Sequence, residues 1–163
     1  MTERYADLSV RAFAAEVAER SPAPASGSAL GTAAALAAAL AELTARLGED
    51  AGAVAEAARL RERLLALGDE DAAAYAEYLE TKSDEARSRT IDVPLELAEA
   101  ASTVLQLARR LDHDASRTIS GDTNAAIELA GAVVRAAARL VEINVGSDAD
   151  DERLQRARAL AGG

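Results

Sequence analysis

The sequence predicts an all-α fold: one domain over residues 1–163, built as an Ala/Leu-packed bundle of five to six helices that pairs into a homodimer. Three observations lead there. No segment alternates β-branched or aromatic residues with polar ones at the period of a strand. Half of the chain is hydrophobic but only 2% is aromatic, so Ala, Leu and Val carry the apolar content. Alanine is the best helix former and a poor filler of space, so its helices must pack very closely. The periodic segments are also punctuated by helix caps and stops. A core of such small side chains buries little area per residue, which makes pairing of two chains an added source of stability.

The first helix is expected over about Leu8–Glu19, with Phe13 and Val17 four apart on one face and Ser21-Pro22 ending it. The second is expected from about Ser28 to Leu47, with Gly48 as its stop. A third begins near Glu49 or Asp50, and Gly68-Asp69 either breaks it or is absorbed. Asp69–Glu80 continues helical and brings Asp71, Tyr75 and Tyr78 near one face. Lys82–Thr90, rich in Ser and charge, reads as a loop or frayed end. Asp92 is expected to cap the next helix, with Pro94 in its first turn, running to about Leu111.

Asp112–Gly121 reads as a second polar connection. Asp122 or Thr123 then caps a long helix through Ile143 or Val145, with Gly146 ending it and Leu129, Val133, Ala136 and Leu140 as its packing stripe. Asp148 is expected to cap a last short helix ending near Leu160, followed by a loose Gly162-Gly163 tail.

The net charge is −10. With no basic stripe to release counterions from phosphates, nucleic acid is not an expected partner, and an anionic membrane surface is disfavoured for the same reason. The apolar Ala29–Leu40 run is too short to cross a bilayer. The chain has no cysteine and one histidine, which leaves no thiolate chemistry and no His-based zinc site. The cytoplasm is the expected compartment. His113, within Asp-His-Asp, reads as a surface residue.

Ser21–Leu40 is the segment where a site would be built. Two prolines, a short Ala-Ser-Gly-Ser turn and an Ala/Leu run place small side chains at a helix start, where another backbone or a flat ligand can come close. The first N–H groups of that helix are free to meet an anion.

The order of these pieces resembles the cyclodeaminase/cyclohydrolase family of folate enzymes. Leu8-Ser9-Val10-Arg11-Ala12-Phe13 is similar to the family's opening helix. Ser21-Pro22-Ala23-Pro24 with Gly27-Ser28 resembles its Pro-x-Pro-Gly-Gly-Gly-Ser turn, and Asp69–Tyr75 its Asp-x-Asp-x-x-Ala-Phe segment. Val93-Pro94-Leu95 with Ala98, Gly121–Asn124, and Ile143-Asn144-Val145 resemble further family elements in the same order. The resemblance spans nearly the whole chain. Departures are Ala25 and Ser26 in place of the first two glycines, a shorter segment after Tyr78, and Ile127-Glu128 in place of Ser-Asp.

The resemblance implies a homodimer with a folate site near the subunit interface, no metal and no covalently bound cofactor. The substrate is a tetrahydrofolate derivative. The implied reactions are hydrolysis of 5,10-methenyltetrahydrofolate or cyclisation of 5-formiminotetrahydrofolate with loss of ammonia. Both pass through a tetrahedral carbon between two nitrogens and need a proton donor and acceptor near neutral pKa. Asp71, set among alanines beside Tyr75, is the candidate catalytic group. Gly27, Ser28, Asn124, Asn144 and Lys82 are the candidate substrate-binding residues, with Arg87 and Arg89 as further cations for a carboxylate tail. The departures leave a second reading open: a non-enzymatic helical dimer that kept the fold and lost the site.

Overall fold

A computed structural model describes residues 4–114 and 120–162. Among them the elements are a short 3-10 turn, Tyr5–Asp7, and six α-helices: α1 Val10–Ala18, α2 Ser26–Leu47, α3 Ala51–Thr81, α4 Asp84–Asp114, α5 Ser120–Val145 and α6 Glu152–Gly162. The all-helical expectation holds, with six helices.

Helix α2 is the central rod. It packs against α3, α5 and α4, while α6 closes over α5 and α4. The middle of its contact face is alanine: Ala34, Ala37, Ala38, Ala41 and Ala45 are fully buried. Leu64, Leu67, Leu97, Val104 and Val141, from α3, α4 and α5, fill what the alanines leave. By length and composition α2 could cross a bilayer, but over half of its most apolar window is buried inside the molecule.

The close approach is set by two glycines. A Cβ on Gly31 would lie 2.7 Å from the Leu64 carbonyl oxygen and 2.9 Å from the Gly68 Cα. Gly68 therefore does not break α3; it is the bare spot that lets α2 touch it. Ser28 Oγ donates to the Gly68 carbonyl at 2.8 Å and fixes the crossing.

Several boundaries differ from the sequence reading, for local physical reasons. Helix α1 is shorter than expected. Ser9 caps it by accepting from the Ala12 N–H, and none of its residues is buried. Helix α2 starts at Ser26, two residues early. At its end Gly48 has φ −87°, and Glu49, at φ 56°, takes the left-handed position instead.

The Lys82–Thr90 stretch is not a loop beyond Ser83. Ser83 Oγ accepts from the Ala86 N–H, and Asp84 and Glu85 occupy the favourable first turn of α4. Its polar residues point outward while Ala86 and Thr90 are buried. Asp92 therefore caps nothing; it accepts from Ser88 and Arg153. Pro94 lies inside a continuous helix rather than in its first turn.

The packing stripe of α5 is rotated from the expected one. Ala126, Ala130, Val133, Val134, Ala137 and Val141 face the core, while Leu129 is exposed and Leu140 half-buried. Small residues won the core face because α5 must approach the alanines of α2. Asp151, not Asp148, caps α6 by accepting from the Arg153 N–H at 2.8 Å. Much of the expected connection over Asp112–Gly121, the His113 side chain and Gly163 lie outside the described residues. Within that stretch, residue 112 is helical in α4 and Gly121 is helical in α5; Gly162 is the last residue of α6.

Candidate functional site

The sequence after α1 cannot continue as helix because Pro22 and Pro24 follow in close order. The chain turns instead, held by Ser21 Oγ donating to the Ala23 carbonyl at 2.8 Å, with Pro24 buried. This elbow delivers α2 with its first turn against the middle of α3. The elbow and α3 enclose a cavity of about 280 Å³.

Pro22, Ala23, Ala25 and Ser26 form one wall. Asp71, Ala72 and Tyr75 of α3 form the second, and Thr90 of α4 with Leu140 and Asn144 of α5 form the third. Four separate stretches of sequence thus converge. A more apolar cavity of about 340 Å³ adjoins it, sharing Ala23 and Ala72 and reaching Arg4 and Tyr5. There Asp69 accepts from the Tyr5 N–H and from Arg4 Nε, which straps the N-terminal segment to α3.

Asp71 is the strongest chemical feature of the cavity. Withdrawal from water pushes its carboxyl up to about 6, and among the described residues no neighbouring charge or hydrogen bond opposes that. Its carboxylate lies directly over Gly27: a Cβ there would meet Oδ2 at 2.0 Å and Cγ at 2.1 Å. Gly27 is needed for clearance, not for an unusual backbone angle. Ala25 has φ −138°, and no left-handed residue occurs in this turn, so the absence of the first two family glycines does not strain it.

Asn144 reaches the cavity from the end of α5. Its Nδ2 donates to the Thr90 carbonyl at 2.6 Å. Thr90 Oγ1 is turned back to the Arg87 carbonyl at 2.8 Å.

The candidate residues therefore separate into groups. Asp71 and Asn144 line one cavity with the Pro-x-Pro elbow. Gly27 lies behind Asp71 and makes room for it. Ser28 is buried and spends its hydroxyl on Gly68, so it holds helices rather than facing the cavity. Lys82 lies outside the lining, at the left-handed end of α3, with its ammonium 4.8 Å from the centre of the Tyr78 ring. Asn124 is exposed one turn into α5, donating to the Ser120 carbonyl, and is roughly 30 Å along the helix from Asn144. Arg89 pairs with Glu77.

Thr90 and Leu140 line the cavity without having been expected there. A signal for Thr90 was present: it stands four residues before Pro94, the one position whose carbonyl a helical proline leaves without its N–H. Among the described residues, no group of three or more His, Cys, Asp or Glu side chains is arranged to hold a metal ion.

Comparison with known proteins follows the same outline. The family model described as formiminotransferase-cyclodeaminase matches residues 9–161. The fold is similar to the crystal structure of formiminotetrahydrofolate cyclodeaminase from Thermotoga maritima. The TM-score is 0.86 and the identity 23%, over 96% of this chain and 91% of that one. No curated protein matches the sequence.

Proposed function

Because the chain belongs to the formiminotransferase-cyclodeaminase family, we propose that its cavity carries out one-carbon chemistry on a reduced folate. The favoured reaction is cyclisation of 5-formiminotetrahydrofolate with release of ammonia. Hydrolysis of 5,10-methenyltetrahydrofolate needs the same proton handling and is tested alongside it.

The observation that carries this reading is a desolvated carboxylate, without a partner, in a cavity walled by the Pro-x-Pro elbow. In cyclisation, N10 attacks the formimino carbon, a C–N bond forms, and a tetrahedral carbon stands between two nitrogens. A proton must leave N10 and another must reach the departing nitrogen, which then leaves as ammonia. Asp71 is proposed as the group that takes the first and returns it. A carboxyl with a pKa of about 6 is mostly ionised at neutral pH but still a competent acid. Such a relay contributes on the order of 10²–10⁴-fold. Asn144 is proposed to hydrogen-bond the pterin edge, with Tyr75 and Leu140 as apolar walls. The same cavity argues against the reading of a degenerate, non-enzymatic dimer.

A homodimer is part of the proposal. Leu36 is 58% exposed on α2 and Ile143 59% exposed on α5, with Leu43, Leu47 and Leu129 also exposed on these two paired helices. Leu140, between Leu129 and Ile143 on the apolar side of α5, lines the cavity, so a second copy seated there would stand at its mouth. Lys82 and Asn124 are proposed to bind substrate only as residues that such a copy brings in. The cytoplasm is the proposed compartment.

The purified protein is supplied with 5-formiminotetrahydrofolate while ammonia and methenyl absorbance are followed, and in parallel with 5,10-methenyltetrahydrofolate. Equal yields of ammonia and methenyl product are expected. A folded protein that accelerates neither reaction and binds neither compound overturns the reading.

A further inference from the structure

We infer that Pro94 is a positioning residue for Asn144: by withholding a backbone N–H it frees the Thr90 carbonyl, and that carbonyl fixes the Asn144 amide at the cavity wall. Asn144's role as a ligand contact rests on the proposed folate site; the positioning itself does not.

Helix α4 runs unbroken from Asp84 to Asp114, with Pro94 inside it and fully buried. In a helix the carbonyl of each residue accepts from the N–H four positions on. For Thr90 that position is Pro94, which has no N–H. Thr90 is itself buried, so water is a poor substitute, and an unpaired carbonyl there is costly. Helix α5 supplies the missing donor across the gap: Asn144 Nδ2 sits 2.6 Å from the Thr90 oxygen.

The chemistry also settles which way the amide faces. A carbonyl oxygen only accepts, so the group presented to it must be the NH₂ of Asn144. Oδ1 and the second N–H are what remain for the cavity that Asn144 lines. An asparagine free to flip would offer donor and acceptor at random; this one offers a fixed pair. The Thr90 hydroxyl does not compete, because it donates to the Arg87 carbonyl. Pro94 and Asn144 are fifty positions apart in sequence and bear on the same oxygen, one by lacking a hydrogen and the other by supplying it.

The test uses the full chain in ¹⁵N-labelled form, without any folate. The side-chain amide signals of Asn144 are identified by their loss in Asn144→Ala. Pro94→Ala restores a helical N–H to Thr90; the Asn144 signals are expected to shift and their hydrogen exchange to rise about tenfold. Unchanged signals and exchange overturn the inference. A through-hydrogen-bond coupling between Asn144 Nδ2 and the Thr90 carbonyl carbon in the unaltered protein supplies a second reading that needs no variant, and its absence also overturns it.

With 5-formiminotetrahydrofolate as probe, Pro94→Ala is expected to raise KM roughly tenfold while kcat stays within about twofold. That effect vanishes in an Asn144→Ala background; an equal effect there assigns Pro94 a merely structural role and overturns the inference. If the unaltered protein shows no folate binding or turnover, the proposed function falls, and the amide signals still decide the positioning.

Discussion

The Cα of Gly27 lies against the carboxylate of Asp71, so closely that a methyl group placed there would come within 2.0 Å of Oδ2. Gly27→Ala should leave the fold intact, because the obstructed atoms belong to the end of a side chain that can rotate. The carboxylate must then leave its place. Activity in the proposed reaction is expected to fall by about 10²-fold, the cost of displacing a proton-transfer group. Steady-state kinetics beside a thermal melt within a few degrees of the unaltered protein checks both halves. Full activity in Gly27→Ala would separate Asp71 from the chemistry.

Asp71 itself links activity to stability. Its carboxyl stands at about 6 when folded against 3.8 ordinarily. Between those values the folded state holds more protons than the unfolded one, so this group adds stability as pH falls from above 6 towards 3.8. Above pH 6 its ionisation costs roughly 2–3 kcal/mol. Asp71→Asn is therefore expected to be more stable than the unaltered protein at pH 8, with the gap closing near pH 4. The same substitution should lower kcat by about 10²–10⁴-fold. Urea denaturation at the two pH values reads the first effect. A pH–rate profile rising through about pH 6 in the unaltered protein, and absent in the variant, reads the second.

The two glycines of the α2–α3 crossing should respond unequally. At Gly31 a Cβ meets backbone at 2.7 and 2.9 Å, which cannot yield without moving the helices. At Gly68 the nearest atoms are at 3.3 and 3.4 Å. Replacing a mid-helix glycine with alanine gains about 1 kcal/mol of helix propensity. Overpacking of the Gly31 kind costs about 1–3 kcal/mol or more. Gly31→Ala is expected to destabilise by about 2 kcal/mol net, and Gly68→Ala to be near neutral. Chemical denaturation ranks them, and the reverse order would mean that the crossing is looser than described.

The exposed leucine stripe gives a solution test. Leu36→Glu with Ile143→Glu places charge on the apolar faces of α2 and α5, both more than half exposed within one chain. The variant should remain helical and run as a monomer in sedimentation, where the unaltered protein is expected to run as a dimer. A dimer in both proteins would move the interface elsewhere.

Periodicity and punctuation made the rods legible. The elbow at Pro22-Pro24, the helical stretch around Asp71, and the stop after Val145 at Gly146 follow from local chemistry, since prolines, caps and apolar spacing act within a few residues. The loop expected over Lys82–Thr90 failed for a reason equally local. Ser83 followed by Asp84-Glu85 is a helix start, but a polar, charged surface masked it. The rotated stripe of α5 had no local cause, because either face could have packed until the alanines of α2 demanded the smaller one.

Of the site, the sequence by itself marked Asp71, Asn144 and the small-residue turn as residues suited to a ligand. Only the tertiary structure put Asp71 and Asn144 in the lining of one cavity, gave Ser28 to Gly68, and left Asn124 and Lys82 outside it. The division has a physical basis. Capping, helix breaking and amphipathic spacing are interactions among near neighbours in the chain. Desolvation of a carboxylate and the sharing of one carbonyl between α4 and α5 depend on surfaces that meet only when the helices close on one another.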